Sequence, residues 1–274
     1  FVIIPDRLFV QITALITYSR LGFPYKPYNL SKPVSFNEKI TKFKINPCNI
    51  DLSSYADKIE VRKYIKSKIG EEYLVPLLGI YKSANEIDFE TLPQKFVLKA
   101  NHGSGWNIIC EDKNKLDFNE TRRKLVKWLN YNAFYLSREY QYKYITPAII
   151  CEKMIGVNIY DYKFFCFNGE PKIVQVDIDR FTNHRRAFFN MEWEKQAYSI
   201  RYPISEREVD KPIQLKDMIE ICRKLSSPFS FVRVDLYLHH SRIYFGELTF
   251  IPGGGNEPFN PVEADYIFGE LFII

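Results

Sequence analysis

Residues 231–238 read Phe-Val-Arg-Val-Asp-Leu-Tyr-Leu, with an aliphatic residue at every even position. Strand side chains point alternately to opposite faces, so Val232, Val234, Leu236 and Leu238 require a core while Arg233, Asp235 and Tyr237 stand on the other face. The segment Arg242 to Phe250 returns alongside, with Glu247 and Thr249 sharing a face. A three-residue turn over His240 to Arg242 sets Asp235 directly opposite Glu247. Two adjacent carboxylates repel, which raises one pKa unless a cation lies between them. Arg233 is one such cation. A hard divalent ion such as Mg²⁺ is another, since it takes one or two carboxylates and fills its other sites with water and phosphate oxygens. Pro252-Gly253-Gly254-Gly255 follows at once, and its glycines permit close backbone approach and leave N–H groups for an anion.

The rest of the second half is also mostly sheet. Tyr162–Phe167 and Lys172–Ile178 flank Asn168-Gly169, a hairpin turn signal, and a strand follows around Arg186 to Met191. Leu215, Met218, Ile219, Cys222 and Leu225 mark one helix, halted by Ser226-Ser227-Pro228. Earlier, Ser35-Phe36-Asn37-Glu38 has the spacing of a helix capping box. A helix starting at Ser53 or Ser54 carries Val61, Tyr64, Ile65 and Ile69 on one face and stops at Gly70. Phe96–Ala100 and a strand around Ile108 to Cys110 enclose Asn101-His102-Gly103-Ser104-Gly105. A helix capped near Asp117 or Asn119 then presents Leu125, Trp128 and Leu129, and Ala148–Met154 reads as a buried strand. The pattern is α+β with antiparallel sheets rather than a doubly wound parallel fold. Three regions follow: 1–50, an accessory stretch; 51–155, a lobe with a Gly-rich loop; and 156–274, a lobe with the paired carboxylates.

Composition removes several function classes. With 46% hydrophobic and 26% charged residues, 12 Gly and 15 Pro, the 274-residue chain is neither disordered nor collagenous. The net charge is only +5 and the basic residues are spread along the chain, which speaks against a nucleic-acid binder and for an anionic ligand held by a few cations. The apolar stretch Leu8–Tyr18, flanked by Arg7 and Arg20, is too short to span a bilayer and lacks a cleavage site, so it reads as a core or partner-facing helix. Five widely spaced cysteines without a C-x-x-C pair read as free buried thiols in a reducing cytoplasm, with no zinc site.

Two further pieces carry chemistry. Lys99 at a strand end, followed by the 101–105 loop, can cover phosphates, the lysine as a point charge and the loop through its N–H groups. No helix follows the glycines, so this is neither a P-loop nor a dinucleotide fingerprint. Glu152-Lys153 closes an apolar strand where the chain passes from one half to the other, a position suited to holding an adenine by backbone groups.

Together these residues resemble the ATP-grasp fold and, more narrowly, the TupA-like ATP-grasp proteins of bacterial surface-polysaccharide clusters, named for teichuronopeptide biosynthesis. The resemblance runs from about Pro33 to the C-terminus. It rests on Ser35-Phe36-Asn37-Glu38-Lys39, Ala56-Asp57-Lys58-x-x-Val61-Arg62, Tyr73–Gly79, Lys99–Gly105, Asp161-Tyr162-Lys163-Phe164-Phe165, Asp179-Arg180-Phe181 and Gly246–Phe250. It implies two α+β lobes enclosing a nucleotide cleft, and an ATP-dependent ligase that phosphorylates a carboxylate and lets an amine displace phosphate.

By similarity, Lys58 and Lys99 hold ATP phosphates while His102, Gly103, Ser104 and Gly105 close over them. Glu152, Lys153 and the Ile155 backbone contact adenine, and Asp161 and Lys163 belong to the nucleotide set. Asp235 and Glu247 hold Mg²⁺, and Arg233 stabilises the transferring phosphoryl group, with Lys99 as the other catalytic residue. Many ATP-grasp enzymes carry Asn two residues after the metal-binding Glu, where this chain has Thr249. Either Asn256 substitutes or the second metal site is altered.

The implied partners are a carboxylate-bearing sugar or glycan, such as a uronic acid, and an amine or amino acid. The implied location is cytoplasmic, with Leu8–Tyr18 a candidate contact for the inner membrane face or the glycan-assembly machinery. Arg180, His184, Arg185 and Arg186 form a basic cluster for an anionic sugar, with Gly253, Gly254, Gly255 and Asn256 on the substrate side. Two rival classes are a sugar-nucleotide glycosyltransferase using Asp177-x-Asp179 and a non-catalytic polysaccharide-assembly module.

Overall fold

The computed structural model describes residues 4–46, 51–157, 159–179 and 182–273. The chain divides into two compact units, a middle unit of Ile50–Asn158 and a split unit that joins Phe1–Asn49 to Ile159–Ile274. All but the last of residues 1–50, set apart in the sequence reading, thus share a unit with the second half of the chain.

The first segment of the split unit carries helices α1 (Asp6–Arg20) and α2 (Phe36–Ile45). The start of α2 follows from its sequence: Ser35 Oγ accepts from the Glu38 N–H and the Glu38 carboxylate accepts from the Ser35 N–H, a complete capping box. Glu38 also accepts from the N–H groups of Asn29 and Val34, both at 2.8 Å, so one side chain fixes the path of the Pro-rich approach. α1 buries Val10 and Ala14 and exposes Leu8, Ile12, Leu15 and Ile16. Among the described residues no helix is long and apolar enough to cross a membrane.

In the middle unit, α3 (Ser53–Ala56) and α4 (Val61–Lys68) replace the single helix expected from Ser53 to Gly70. The break falls at Asp57, whose ψ of 117° is extended and whose Oδ1 accepts from the Ile59 N–H at 2.8 Å. A short acidic side chain there competes with the helical backbone for its donors. Strands β1 (Leu77–Tyr81), β2 (Phe96–Ala100), β3 (Asn107–Cys110) and β4 (Ile149–Lys153) form an antiparallel sheet in the order β1-β4-β2-β3. α5 (Phe118–Leu129), capped by Asp117, lays Leu125 on a core that includes Phe96, Leu98, Ile149 and Cys151, and α6 (Ala133–Ser137) follows. In the register Lys99 opposes Ile150 and Val97 opposes Glu152, which puts Lys99 and Glu152 on the same face, away from that core.

The second segment of the split unit contains β5 (Tyr160–Phe167), β6 (Glu170–Ile178), β7 (Arg185–Phe189), β8 (Ser199–Ile200) and α7 (Leu215–Ser226). It ends with β9 (Phe231–His239), β10 (Arg242–Thr249), β11 (Phe259–Asn260) and α8 (Glu263–Leu271). The main sheet runs β10-β9-β5-β6-β7, and Asn168 and Gly169 turn β5 into β6 with φ of 50° and 81°. Its aliphatic face, with Phe164, Cys166, Val232, Val234 and Leu236, is buried and α7 packs there through Cys222 and Leu225.

The opposite face is divided. At one end Phe165, Phe167 and Phe231 meet Phe36 of α2 and Phe268 of α8, mostly edge-to-face, with Phe36–Phe231 centroids 5.1 Å apart. Lys39 Nζ donates to the Gly269 and Phe272 carbonyls at 2.8 Å and so caps the end of α8. The two helices lie so close that a Cβ on Gly269 would sit 2.2 Å from the Val34 carbonyl oxygen. This phenylalanine cluster joins residues 1–49 to the second half.

The β9–β10 turn differs from expectation. It has two residues, His240 and Ser241, with φ of 46° and 61°, rather than three. That turn alone would place Gly246 opposite Asp235. A bulge between Phe245 and Glu247 adds the missing residue, and Glu247 then pairs with Asp235 and Thr249 with Arg233. Glycine suits the bulge, because a Cβ at 246 would meet the Asp235 carbonyl oxygen at 2.9 Å and the Tyr237 ring at 3.2 Å. Cys110, Cys151, Cys166 and Cys222 are free and buried, as expected, while Cys48 lies outside the described residues.

Candidate functional site

The other end of the divided face in the split unit is a charged strip. Strand alternation brings Asp161 and Lys163 of β5, Arg233 and Asp235 of β9, and Glu247 and Thr249 of β10 onto one surface. Arg233 grips Asp235 with two bonds, Nε to Oδ1 and Nη2 to Oδ2, both 2.7 Å. The same Nη2 lies 3.5 Å from Glu247 Oε1 and 3.1 Å from Thr249 Oγ1. Thr249 donates to Glu247 Oε1 at 3.0 Å, so its hydroxyl orients the carboxylate. Lys163 Nζ donates to Asp235 Oδ2 at 2.8 Å and to Asp161. Asp161 and Lys163, expected in the nucleotide set, are thus buried members of this strip.

Charge and burial shape the strip. Burial pushes the Asp161 carboxyl up, and the Asp235 charge adds to that against the opposing pull of Lys163. Burial alone would lower Lys163, yet Asp161 and Asp235 hold it above its ordinary value. Arg233 is likewise raised: Asp235 and Glu247 outweigh its desolvation. Charges of opposite sign thus alternate along the strip, with Lys163 between Asp161 and Asp235 and Arg233 between Asp235 and Glu247.

The middle unit holds a charged group of its own. Lys99 Nζ donates to Glu152 Oε2 at 2.7 Å, and Arg62 Nη1 donates to Glu152 Oε1 at 3.0 Å while its Nη2 holds the Val75 carbonyl. The Glu152 carboxylate, expected at adenine, is therefore occupied by two cations. Lys153 is exposed at the end of β4 and Ile155 lies just beyond it, half-buried. The motifs around Lys58 and the Gly loop are physically joined: Asn101 Nδ2 donates to both Asp57 oxygens at 3.1 Å, and Lys58 Nζ donates to the Gly103 carbonyl at 2.6 Å.

His102, expected to close over phosphates with the loop, is held on three sides within the unit. Its ring is buried, with Nδ1 2.9 Å from Asn101 Oδ1 and Nε2 3.0 and 3.1 Å from the Trp128 and Tyr131 carbonyls. Burial pushes its pKa down. It anchors the loop to the end of α5 and leaves Ser104 and Gly105 exposed at the tip.

The expected substrate residues fall around an ion-pair chain in the split unit. Asp177 of β6 takes Arg186 Nε at 3.0 Å and has His184 Nε2 at 3.2 Å. Burial would raise Asp177, but His184, Arg186 and Lys163 hold it well below the usual carboxylate range. Arg186 Nη1 also reaches Glu257 at 3.3 Å, and His184 stacks on Tyr202 with centroids 3.8 Å apart. Arg185 donates to the Ile204 carbonyl, and Arg180 lies outside the described residues.

Gly253, Gly254 and Gly255 all adopt left-handed φ, of 58°, 66° and 73°. Their loop faces α2: Lys44 Nζ donates to the Gly254 carbonyl and Thr41 Oγ1 to that of Gly255. The N–H groups of Gly254 and Asn256 donate back into the loop rather than outward. Asn256, weighed as a replacement metal ligand, directs its amide nitrogen to Thr13 Oγ1 on α1, at 3.5 Å. Asp177 and Asp179 do not share surroundings either, since Asp179 is at the surface opposite Arg207.

Arg62 and Glu257 were absent from the sequence-derived site. Arg62 had a signal, since it stands four residues after Lys58; Glu257 had none, because its partners lie 56 and 71 residues away. Among the described residues no three or more His, Cys, Asp or Glu side chains gather as a metal site. Of the pair expected to hold Mg²⁺, Asp235 has both carboxylate oxygens bonded to Arg233 and one of them also to Lys163. Glu247 is the one that reaches solvent, its side chain 37% exposed against 2% for Asp235.

A family model described as TupA-like ATPgrasp matches residues 38–273. No curated protein matches the chain. Among solved structures, D-alanine–D-alanine ligase from Bacillus anthracis complexed with ATP is 17% identical, with 89% of this chain and 62% of that one covered and a TM-score of 0.42. Phosphoribosylamine–glycine ligase from Thermotoga maritima is 13% identical, with coverage of 80% and 56% and a TM-score of 0.44. For L-amino acid ligase from Bacillus licheniformis the values are 13%, 87%, 45% and 0.43. The chain spans less than two thirds of each of these three.

Proposed function

Because the chain belongs to the TupA-like ATP-grasp family, we propose that it is an ATP- and Mg²⁺-dependent carboxylate–amine ligase. It joins an amino acid or amine to a uronic acid of a bacterial surface polysaccharide. The observation that carries the reading is the strip on β9 and β10. Arg233 is held by Asp235 and reaches toward Glu247. Phosphoryl transfer asks for charge neutralisation and alignment more than for covalent help, and this strip offers both signs of charge on rigid strands.

In this reading Asp235 and Glu247 hold Mg²⁺, which supplies charge neutralisation on the phosphates when bound. Arg233 is fixed by its two bonds to Asp235 and stabilises the phosphoryl group in flight. Thr249 keeps Glu247 in one rotamer. Lys58 and Lys99 bind phosphate oxygens, Lys99 exchanging Glu152 for phosphate, and the Ser104-Gly105 tip covers them. The substrate carboxylate oxygen attacks the γ-phosphorus as the bond to the ADP oxygen breaks. The amine then attacks the acyl carbon, phosphate leaves, and the amine gives up a proton.

Incubation with ATP, Mg²⁺, a uronic-acid acceptor series and hydroxylamine tests this, since hydroxylamine intercepts an acyl phosphate as a hydroxamate. The expected result is hydroxamate with matching ADP release, abolished in Glu247→Gln while the fold persists. Transfer from a UDP-sugar without ATP consumption would sink the reading in favour of a glycosyltransferase.

A further inference from the structure

The segment from Arg122 to Tyr144, in the middle unit, takes no part in the chemistry above. It holds six Lys or Arg against one Glu, so its net +5 equals that of the whole chain. It also exposes large apolar side chains that a core would claim: Val126 at 45%, Tyr131 at 46%, Tyr135 at 66%, Leu136 at 58% and Tyr144 at 75%.

Local contacts tie parts of this segment together. Asn132 Nδ2 donates to the Lys143 carbonyl at 2.9 Å, which ties the start of α6 to the stretch before β4. Lys143 Nζ lies over the rings of Phe134, Tyr140 and Tyr144 at 5.1 to 5.2 Å, and Lys127 Nζ over Tyr131 at 5.9 Å. The ammonium groups therefore stand beside exposed rings and aliphatic side chains.

We infer that this surface docks on an anionic lipid bilayer, with Tyr131, Tyr135, Leu136 and Tyr144 entering the headgroup region and Lys127 and Lys143 pairing with lipid phosphates. Tyrosine favours the membrane–water boundary because its ring is apolar and its hydroxyl polar, and lysine can bury its stem while its charge stays among headgroups. Each cation near an anionic surface adds to attraction, and apolar area adds to it independently. Exposed Val126 and Leu136 separate this partner from an acidic polysaccharide, which would use the cations and rings but gain nothing from aliphatic side chains. α1, the other exposed apolar face, carries only Arg7 and Arg20 against Asp6 and lacks this charge.

The test is co-sedimentation of the full chain with phosphatidylcholine vesicles, with and without phosphatidylglycerol, across a salt series. Binding is expected to vesicles containing phosphatidylglycerol and to weaken with salt. Lys127→Glu with Lys143→Glu should lower the partition coefficient about tenfold or more, and Tyr135→Ser with Leu136→Ser should lower it at moderate salt as well. All four positions are at least partly exposed, and unchanged thermal unfolding verifies that the variants fold. Leu8→Ser with Ile12→Ser should leave binding unchanged. No vesicle binding, binding insensitive to both double variants, or binding to polygalacturonate without binding to vesicles would each overturn the inference.

Discussion

Asp265 offers a quantitative check on how the split unit is assembled. This α8 residue accepts from the Asn37 N–H at 2.9 Å, the contact that locks α2 beside α8. Burial raises its carboxyl from 3.8 to about 6, and the bonds from Asn37 and Ser35 offset that only in part. Between these two values the folded protein holds a proton that the unfolded chain has released, so stability falls as pH rises. At ~1.4 kcal/mol per pH unit, the gap is worth about 3 kcal/mol, present in full below the unfolded value and lost by about pH 6. Asp265→Asn cannot ionise, and its Oδ1 can still accept from Asn37. Urea unfolding followed by circular dichroism, from pH 4 to pH 7, should show the wild type losing about 3 kcal/mol relative to the variant. A constant difference, or wild type gaining with pH, would refute the account of a buried and costly carboxylate.

Three further outcomes follow from the geometry. Gly246→Ala should disturb the bulge, cost about 1–3 kcal/mol of stability and reduce ATP turnover more than stability alone explains, because Glu247 loses its register with Asp235. Arg62→Met leaves Glu152 with Lys99 alone and should cost about 1–3 kcal/mol in urea unfolding, with KM for ATP altered more than in an exposed control such as Lys63→Met. His102 is held neutral, with a lowered pKa, so its stabilising contribution is complete above about pH 6.5 and is lost as pH falls. Fluorescence-detected unfolding through Trp106 and Trp128 should lose that acid sensitivity in His102→Asn.

Local pattern carried much of the fold. Alternation gave both strands of the last hairpin, Asn168-Gly169 gave a turn, and Ser35 with Glu38 gave a helix start, because each depends on neighbours a few residues apart. Asp57 broke a helix whose apolar spacing continues across it, through a side-chain bond that periodicity does not register. The β9–β10 turn was misread by one residue, yet the bulge at Gly246 restored the pairing of Asp235 with Glu247. The role of His102 was hidden because its partners are carbonyls on the end of a helix 26 and 29 residues later. The docking of Phe36 against Phe231 and Phe268 was equally out of reach, since nothing near Phe36 names partners some two hundred residues away.

The acyl-phosphate route is tested most directly by following oxygen. With ¹⁸O in the carboxylate of a turned-over acceptor, one labelled oxygen should appear in the released inorganic phosphate, as detected by the isotope shift in ³¹P NMR. Unlabelled phosphate, with both labelled oxygens kept in the acceptor, would contradict the account.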